Sequence, residues 1–137
     1  MFCLICKACE ISQQEMKQDA ERMSTFRNEL ENDLLKIEGT FVNGKTENRI
    51  FNTTNICFHG SDANVMIGRM KNVAVSNGSA CTAAIVEPSH VLVSMGLSDD
   101  AAFVSIRFSL GEFNTIMEVN EVCKIIFMLS QQITSTN

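Results

Sequence analysis

Cys81 is the residue of this sequence best suited to act as a nucleophile. It lies among small residues in a stretch with neither helical nor strand periodicity, which predicts a mobile, partly exposed loop. A thiol reacts as its thiolate, and an ordinary thiol with a pKa near ~8.5 is ionised by only a few per cent at neutral pH. No histidine or lysine adjoins Cys81 to lower its pKa. From the residues alone, Cys81 is either a nucleophile or an inert loop residue.

Arg107 is the second candidate, because its guanidinium belongs to the polar face of a predicted strand. Residues 103–110 alternate strictly between an apolar face and a face that carries Arg107. A planar guanidinium in such a position can hold a carboxylate through two parallel hydrogen bonds. The alternative for Arg107 is an ordinary surface or interface ion pair.

The other five cysteines carry weaker signals. Cys3, Cys6 and Cys9 have the spacing of thiolate metal ligands, but no fourth ligand is evident nearby and apolar residues stand between them. Cys57 and Cys123 lie on periodic elements, which predicts that they are packing thiols. A metal site at the N-terminal trio is therefore the least favoured of the possible chemistries.

Composition limits the class of protein. The chain has 137 residues, of which 45% are hydrophobic, enough for one domain with a core. Its 11 basic and 16 acidic side chains give a net charge of −5, which argues against nucleic-acid binding. No apolar run reaches the ~18 residues of a membrane span, and no signal peptide is recognisable at the start. We therefore expect a cytoplasmic protein with reduced thiols and no membrane partner.

The first half of the chain predicts a long helix followed by a pair of strands. Apolar residues recur at steps of three and four over residues 8–38, and charged residues, Glu31 among them, are expected on the solvent faces. Gly39 is predicted to end this helix. Strand signals follow at residues 40–42 and 53–58, with a turn at Asn43 after the first of them.

The second half adds short elements and a terminal helix. Asp62 is suited to cap a short helix, residues 73–75 have the composition of a buried strand, and residues 88–95 predict another short helix. Thr115 and Glu118 have the spacing of a capping box at the start of the last helix. Together these elements predict an α+β fold of two layers, with a small, mostly antiparallel sheet covered by the long first helix and the last helix.

Several segments of the sequence resemble the C-terminal part of cysteine desulfurases of the NifS/IscS type. The segment Ala-Val-Ser-Asn-Gly-Ser-Ala-Cys-Thr-Ala at 74–83 carries the resemblance most specifically. It is supported by Glu-Pro-Ser-His-Val-Leu at 87–92, by Met-Gly-Leu-Ser-Asp-Asp at 95–100 and by Ser-Ile-Arg-Phe-Ser-Leu-Gly at 105–111. The resemblance assigns residues 7–137 to a single domain, the small domain of a fold-type-I pyridoxal phosphate enzyme, and leaves 1–6 as an unmatched extension.

The resemblance implies an activity and a role for each matching residue. In that family pyridoxal 5′-phosphate activates L-cysteine, and a loop cysteine takes the substrate sulfur as a persulfide and leaves L-alanine. The matching nucleophile is Cys81, and the residue that matches the substrate carboxylate site is Arg107. The active-site loop would comprise Ser76, Asn77, Gly78, Ser79, Ala80 and Thr82. Asn77 stands where the family usually has a serine.

The resemblance also implies partners, and it covers only part of the family's machinery. Family members are homodimers that pass sulfur to an acceptor or iron-sulfur scaffold protein, for iron-sulfur cluster or thio-cofactor biosynthesis. The lysine that binds the cofactor belongs to a large domain with no counterpart in this sequence, so the chain alone is expected to be inactive. Smaller departures are Phe51, where proline is usual, and Glu112, where arginine is common. The alternatives are a sulfur-relay or interaction module and a non-functional truncated product.

Overall fold

The computed structural model describes residues 4–45, 47–77 and 87–134. In these ranges the elements follow the order helix, two strands, three short helices, strand, helix. They are α1 (Leu4–Leu34), β1 (Thr40–Val42), β2 (Thr53–Phe58), α2 (Ala63–Arg69), α3 (His90–Ser94), α4 (Asp99–Phe103), β3 (Ser105–Ser109) and α5 (Ile116–Thr134).

The three strands form one antiparallel sheet in the order β1-β2-β3. Ile56 in the middle of β2 pairs with Val42 of β1 on one side and with Ile106 of β3 on the other. One face of this sheet packs against the layer formed by α1 and α5. The α+β fold of two layers predicted from the sequence is confirmed.

The core lies between the sheet and the two long helices. Its largest fully buried side chains come from every layer: Phe58, Leu34, Ile56, Met66, Ile106 and Ile126. Phe58 and Phe108 meet edge to face with their ring centroids 6.4 Å apart. Apolar side chains at alternate positions of β2 and β3 therefore supply one wall of the core, as the sequence alternation predicted.

Helix α1 ends earlier than the apolar periodicity predicts. Its last residue is Leu34, and the chain then tightens, since the Ile37 amide donates to the Leu34 carbonyl at 3.1 Å. Gly39 follows this turn with a φ of +79°, and a Cβ at that position would meet the carbonyl oxygen of His59 at 3.0 Å. The absence of a side chain at Gly39 thus lets the start of β1 lie close to His59, just beyond β2. The helix ends at Leu34, so the predicted helix end at residue 38 is wrong.

Two of the predicted helix caps are present as expected. The Asp62 carboxylate accepts hydrogen bonds from the Asn64 and Val65 amides at 2.9 and 3.1 Å. At the start of α5, the Thr115 amide donates to Glu118 at 2.8 Å and the Glu118 amide donates to the Thr115 hydroxyl at 3.3 Å. These contacts satisfy amides that the first turns of α2 and α5 leave without helical partners.

Residues 73–75 do not form the predicted strand. Val73 and Val75 are half-buried against the core and Ala74 is exposed, but only the next residue, Ser76, pairs with the sheet, through a single bridge to Arg107. Apolar composition cannot distinguish a strand from an extended segment that packs on a core, because both bury the same side chains.

The strand predicted at 103–110 is shorter than expected, because Phe103 belongs to α4 and Val104 caps its end, so β3 begins at Ser105. Phe103 is the last residue of this helix, and Ser98 caps the helix by accepting from the Ala101 amide at 3.3 Å. The sequence contains this signal, since a serine followed by two acidic residues is typical of a helix start. Within the described ranges, no helix is apolar enough over a sufficient length to cross a membrane.

Candidate functional site

Arg107 lies on the face of the sheet opposite the helical layer, beside a cleft of about 910 Å³. Its neighbours in β3, Ile106 and Phe108, are buried in the core, so the strand alternation turns Arg107 outward, where it is exposed. The cleft is bounded by the open part of the sheet, by the segment between β1 and β2, and by α3 with the residues beside it. The prediction that Arg107 lies on the non-core side is confirmed.

The guanidinium of Arg107 is available to a ligand. Among the described residues it makes neither a hydrogen bond nor an ion pair, although Arg22, Arg27 and Arg49 do. An arginine fork without a protein acceptor, at the side of a cleft, can take a carboxylate through two parallel hydrogen bonds. The alternative of a surface ion pair within this chain finds no support in the described ranges.

The backbone of Arg107 joins β3 to the start of the predicted active-site loop. Its amide donates to the Ser76 carbonyl at 2.6 Å, and the Ser76 amide donates back to the Arg107 carbonyl at 3.2 Å. The next residue, Asn77, donates from Nδ2 to Oδ1 of Asn64 on α2 at 2.6 Å. The amide that replaces the family's usual serine is therefore used to tie this segment to α2.

The remaining predicted loop residues lie outside the described residues. They are Gly78, Ser79, Ala80, Cys81 and Thr82. Their assigned roles, including that of Cys81 as nucleophile, stay predictions.

Asn55 is a cleft residue that the sequence reasoning did not single out. It lies on β2 directly opposite Arg107, and its Oδ1 accepts a hydrogen bond from Nδ2 of Asn43 at 2.5 Å. The same Asn43 nitrogen donates to the Ser105 hydroxyl at 2.8 Å, and Ser105 in turn donates to the Ala101 carbonyl at 2.6 Å. Only the strand register reveals that Asn55 and Arg107 are neighbours, since 52 residues separate them in the sequence.

The segment that forms one wall of the cleft is held to α1 by an ion pair that the sequence did not predict. Glu31 was expected on a solvent face but is buried, with 7% of its surface exposed. Arg49 binds it with both guanidinium nitrogens, Nη1 to Oε1 at 2.6 Å and Nη2 to Oε2 at 2.8 Å. Arg27, one turn before Glu31, donates to the Ile50 carbonyl at 3.1 Å. Two arginines thus fix residues 49 and 50 beside the cleft.

This arrangement keeps Glu31 ionised. Burial by itself would raise the pKa of the Glu31 carboxyl, but the hydrogen bonds and charge of Arg49, with the charge of Arg27, outweigh it and hold the pKa below its ordinary value. The periodicity of α1 could not show this, because an acidic residue beside an apolar stripe gives the same pattern whether it is solvated or paired.

Among the described cysteines, Cys57 and Cys123 are buried, as the sequence predicted. Cys57 is fully buried and Cys123 nearly so, which confirms both as packing thiols. Burial raises the pKa of the Cys57 thiol. Burial, with a smaller effect of the Asp33 charge, raises the pKa of Cys123 to about 11. Both thiols are therefore expected to stay protonated and unreactive as nucleophiles at neutral pH.

The potential metal ligands of the described residues do not come together beside the cleft. Cys6 and Cys9 are exposed on α1, and Cys3 lies outside the described residues. Within the described ranges, one group of three potential ligands comes together, formed by Glu15, Asp19 and Glu112. Asp19 already pairs with Arg22 at 3.2 Å, so this group is explained as partly compensated surface charge.

Residues 2–122 match the family model described as aminotransferase class-V. The chain belongs to this family. Among curated class-V relatives it is similar to cysteine desulfurase IscS of Shewanella denitrificans, with 40% identity over 120 residues, and to that of Histophilus somni, with 40% identity over 114 residues. These alignments cover 88% and 83% of this chain but only 30% and 28% of the relatives. The resemblance to the NifS/IscS type is therefore confirmed, and the chain spans less than a third of these relatives' length.

The fold of this class-V chain also matches solved structures. A NifS-like protein from Rickettsia africae superposes with a TM-score of 0.74 at 24% identity, over 88% of this chain and 31% of that one. A second structure, described as a NifS-like protein, gives a TM-score of 0.75 over 93% of this chain and 32% of that one. At this identity the likeness shows the fold of the domain.

Pyridoxal phosphate is the cofactor implied by class-V membership, and the cleft by itself does not fit it. Such a site needs a lysine for the cofactor aldehyde and an acid for the pyridine nitrogen. The described lining of the cleft has one lysine, Lys45, and one acid, Glu47, and both are exposed on the segment between β1 and β2 rather than buried where they could hold a cofactor ring. The described residues can therefore offer Arg107 to a substrate but form no cofactor site of their own.

Proposed function

We propose that this chain is the C-terminal domain of a cysteine desulfurase, which supplies Cys81 as the sulfur carrier and Arg107 as the binding residue for the carboxylate of L-cysteine. The observation that carries the proposal is the exposed Arg107 guanidinium, which lies beside a cleft without an acceptor in the described ranges and belongs to a domain 40% identical to named cysteine desulfurases.

The chain connectivity supports a shared task for Cys81 and Arg107. Ser76 is paired with Arg107 through two backbone hydrogen bonds, and Cys81 follows Ser76 by five residues. Five residues span at most about 18 Å, so the length of the chain would allow the thiol to reach the region around Arg107. A thiol delivered from a loop suits a sulfur carrier, because the sulfur must be received at one place and handed over at another.

In the proposed reaction the Cys81 thiolate attacks the sulfur of L-cysteine while Arg107 holds the substrate carboxylate. The new S–S bond forms as the substrate C–S bond breaks. The electron pair of the C–S bond stays with the carbon, which is protonated to give L-alanine. A large domain that held pyridoxal phosphate would supply the electron sink that this step needs. We expect the chain alone to lack the activity, and we expect an acceptor or scaffold protein to take the persulfide.

The decisive experiment supplies a large domain that can bind the cofactor. The chain is mixed with L-cysteine, pyridoxal phosphate and the separately produced large domain of a curated relative, and the intact mass of the chain is then measured. We expect one added sulfur atom on wild type and none on Cys81→Ser. The chain without the large domain should release no sulfide, and robust turnover by the chain alone would contradict that part of the proposal.

A second arm of this experiment tests the alternative of a sulfur-relay module. The chain is incubated with a small-molecule persulfide donor and no large domain. Sulfur transfer to Cys81 from this donor, together with none from L-cysteine and the large domain, would favour the relay function over the desulfurase domain.

A further inference from the structure

Asn55 and Arg107 form a cross-strand pair, and both line the cleft. They stand opposite each other in the register of β2 and β3. The backbone bonds of this ladder join Phe58 to Val104 and Leu110 to Asn52, so the hydrogen-bonded pairs fall on the even positions of β2. The pair of Asn55 with Arg107 is therefore a non-hydrogen-bonded pair, the kind in which Cα atoms are only about 4.5 Å apart and side chains approach most closely.

The orientation of the Asn55 amide is set by its neighbours. The Ser105 hydroxyl gives its one proton to the Ala101 carbonyl, so it can only accept from Asn43. Asn43 must then present its NH₂ group, which also donates to Oδ1 of Asn55, and its own Oδ1 remains buried without a hydrogen-bond partner in the described ranges. The Asn55 carbonyl is thus committed to Asn43, whereas its Nδ2 donates to no group among the described residues.

The Asn55 NH₂ group and the Arg107 guanidinium are therefore two donors of one cross-strand pair at the cleft, and neither has an acceptor among the described residues. A carboxylate offers about four lone-pair positions, and a bidentate guanidinium uses only two of them. A neighbouring NH₂ group can fill a third position without competing with the arginine. No acceptor on either side chain faces the ligand, so the pair favours an anion over an ammonium group.

We propose that Asn55 is a second binding residue for the substrate carboxylate, donating from Nδ2 to an oxygen that Arg107 holds from the neighbouring strand. This inference rests on the proposed function, which assigns the carboxylate to Arg107. Asn43 and Ser105 are positioning residues in this arrangement, since they orient the Asn55 amide and do not touch the ligand themselves.

The test follows carboxylate binding to the full chain by NMR. The side-chain amide signals of Asn55 and the Nε–H signal of Arg107 are monitored while L-cysteine is added under reducing conditions. Cysteamine, which has the thiol and the amine but no carboxylate, is the matched ligand control at equal ionic strength. Both signals should shift with L-cysteine and stay in place with cysteamine.

Two substitutions separate ligand binding from a structural role. Asn55→Asp keeps the oxygen that accepts from Asn43 and loses the NH₂ group, whereas Asn55→Ala loses both. Both should raise the dissociation constant for L-cysteine about tenfold or more, the loss expected for one hydrogen bond to a charged group. Asn120→Asp on the exposed surface of α5 makes the same charge change outside the cleft and should bind as wild type does.

The outcomes distinguish the role of Asn55 from that of Arg107. If Arg107→Ala loses binding while both Asn55 variants bind as wild type does, the role of Asn55 is refuted and the proposed function stands. If only Asn55→Ala is weakened, Asn55 acts through Asn43 and the inference fails. If wild type shows no carboxylate-dependent shift, or Arg107→Ala binds normally, the carboxylate site of the proposed function falls, and the inference falls with it.

Discussion

Arg49 binds Glu31 through two parallel hydrogen bonds of 2.6 and 2.8 Å, and this contact joins the segment between β1 and β2 to the long first helix. Their side chains are only 19% and 9% exposed, so water screens the pair weakly. The segment that contains Arg49 is one wall of the cleft beside Arg107. The shape of the candidate site therefore depends on a charged contact made on α1, away from the site itself.

Replacing Glu31 with glutamine should destabilise the fold. The variant leaves the Arg27 and Arg49 guanidinium groups largely buried without their shared carboxylate, and removing one partner of a buried pair costs about 3 kcal/mol of unfolding free energy. Urea unfolding followed by circular dichroism measures this loss. Glu29→Gln, an exposed position on the same helix, is the control and should change stability little. An equal effect of both variants would show that the Arg49 contact contributes nothing of its own.

The same carboxylate should make stability depend on acid pH. Because the pKa of Glu31 is lowered in the folded chain, its contribution is fully present above the ordinary value of 4.5 and is lost as pH falls through the folded pKa. The urea midpoint of wild type, measured from about pH 7 down to about pH 3, should fall more steeply at the acid end than that of Glu31→Gln. Parallel curves for the two proteins would assign the acid sensitivity to other groups.

The capping box should contribute measurably to the last helix. Thr115→Ala removes the hydroxyl that accepts from the Glu118 amide, and the loss of such a cap costs about 1 kcal/mol of unfolding free energy. Thr115→Ser retains an oxygen at the same place and should restore most of the stability. Thermal unfolding of the three proteins measures both effects, and a serine variant as unstable as the alanine variant would argue against a role for the hydroxyl.

The described thiols should differ sharply in their reaction with iodoacetamide. Cys9 is exposed on α1, whereas Cys57 and Cys123 are buried and have raised pKa values, that of Cys123 to about 11. Since the thiolate is the reacting form, Cys9 should be alkylated in the native chain, and the two buried cysteines should react only after unfolding in urea. Peptide mapping by mass spectrometry gives the result residue by residue. Rapid native labelling of Cys57 or Cys123 would show that the core opens readily.

Sequence patterns predicted elements well where one local rule applied. The Thr115–Glu118 box and the Asp62 cap consist of side chains that bind amides two or three residues away. Such contacts can be predicted from residue types and spacing alone. The α+β class and the outward direction of Arg107 follow from apolar periodicity. The prediction was wrong for residues 73–75, where apolar composition was compatible with both a strand and an extended segment packed on the core.

The sequence by itself determined the family, the layer pattern and the candidate chemistry at Arg107, because motifs and periodicity depend on residues close together along the chain. The tertiary structure alone decided that Glu31 is a buried partner of Arg49, 18 residues away, and that Asn55 stands opposite Arg107. Both relationships arise from strand register and helix packing. Register is set by the balance of contacts over the whole sheet, so two polar residues distant in the sequence become one site only when the core between them has formed.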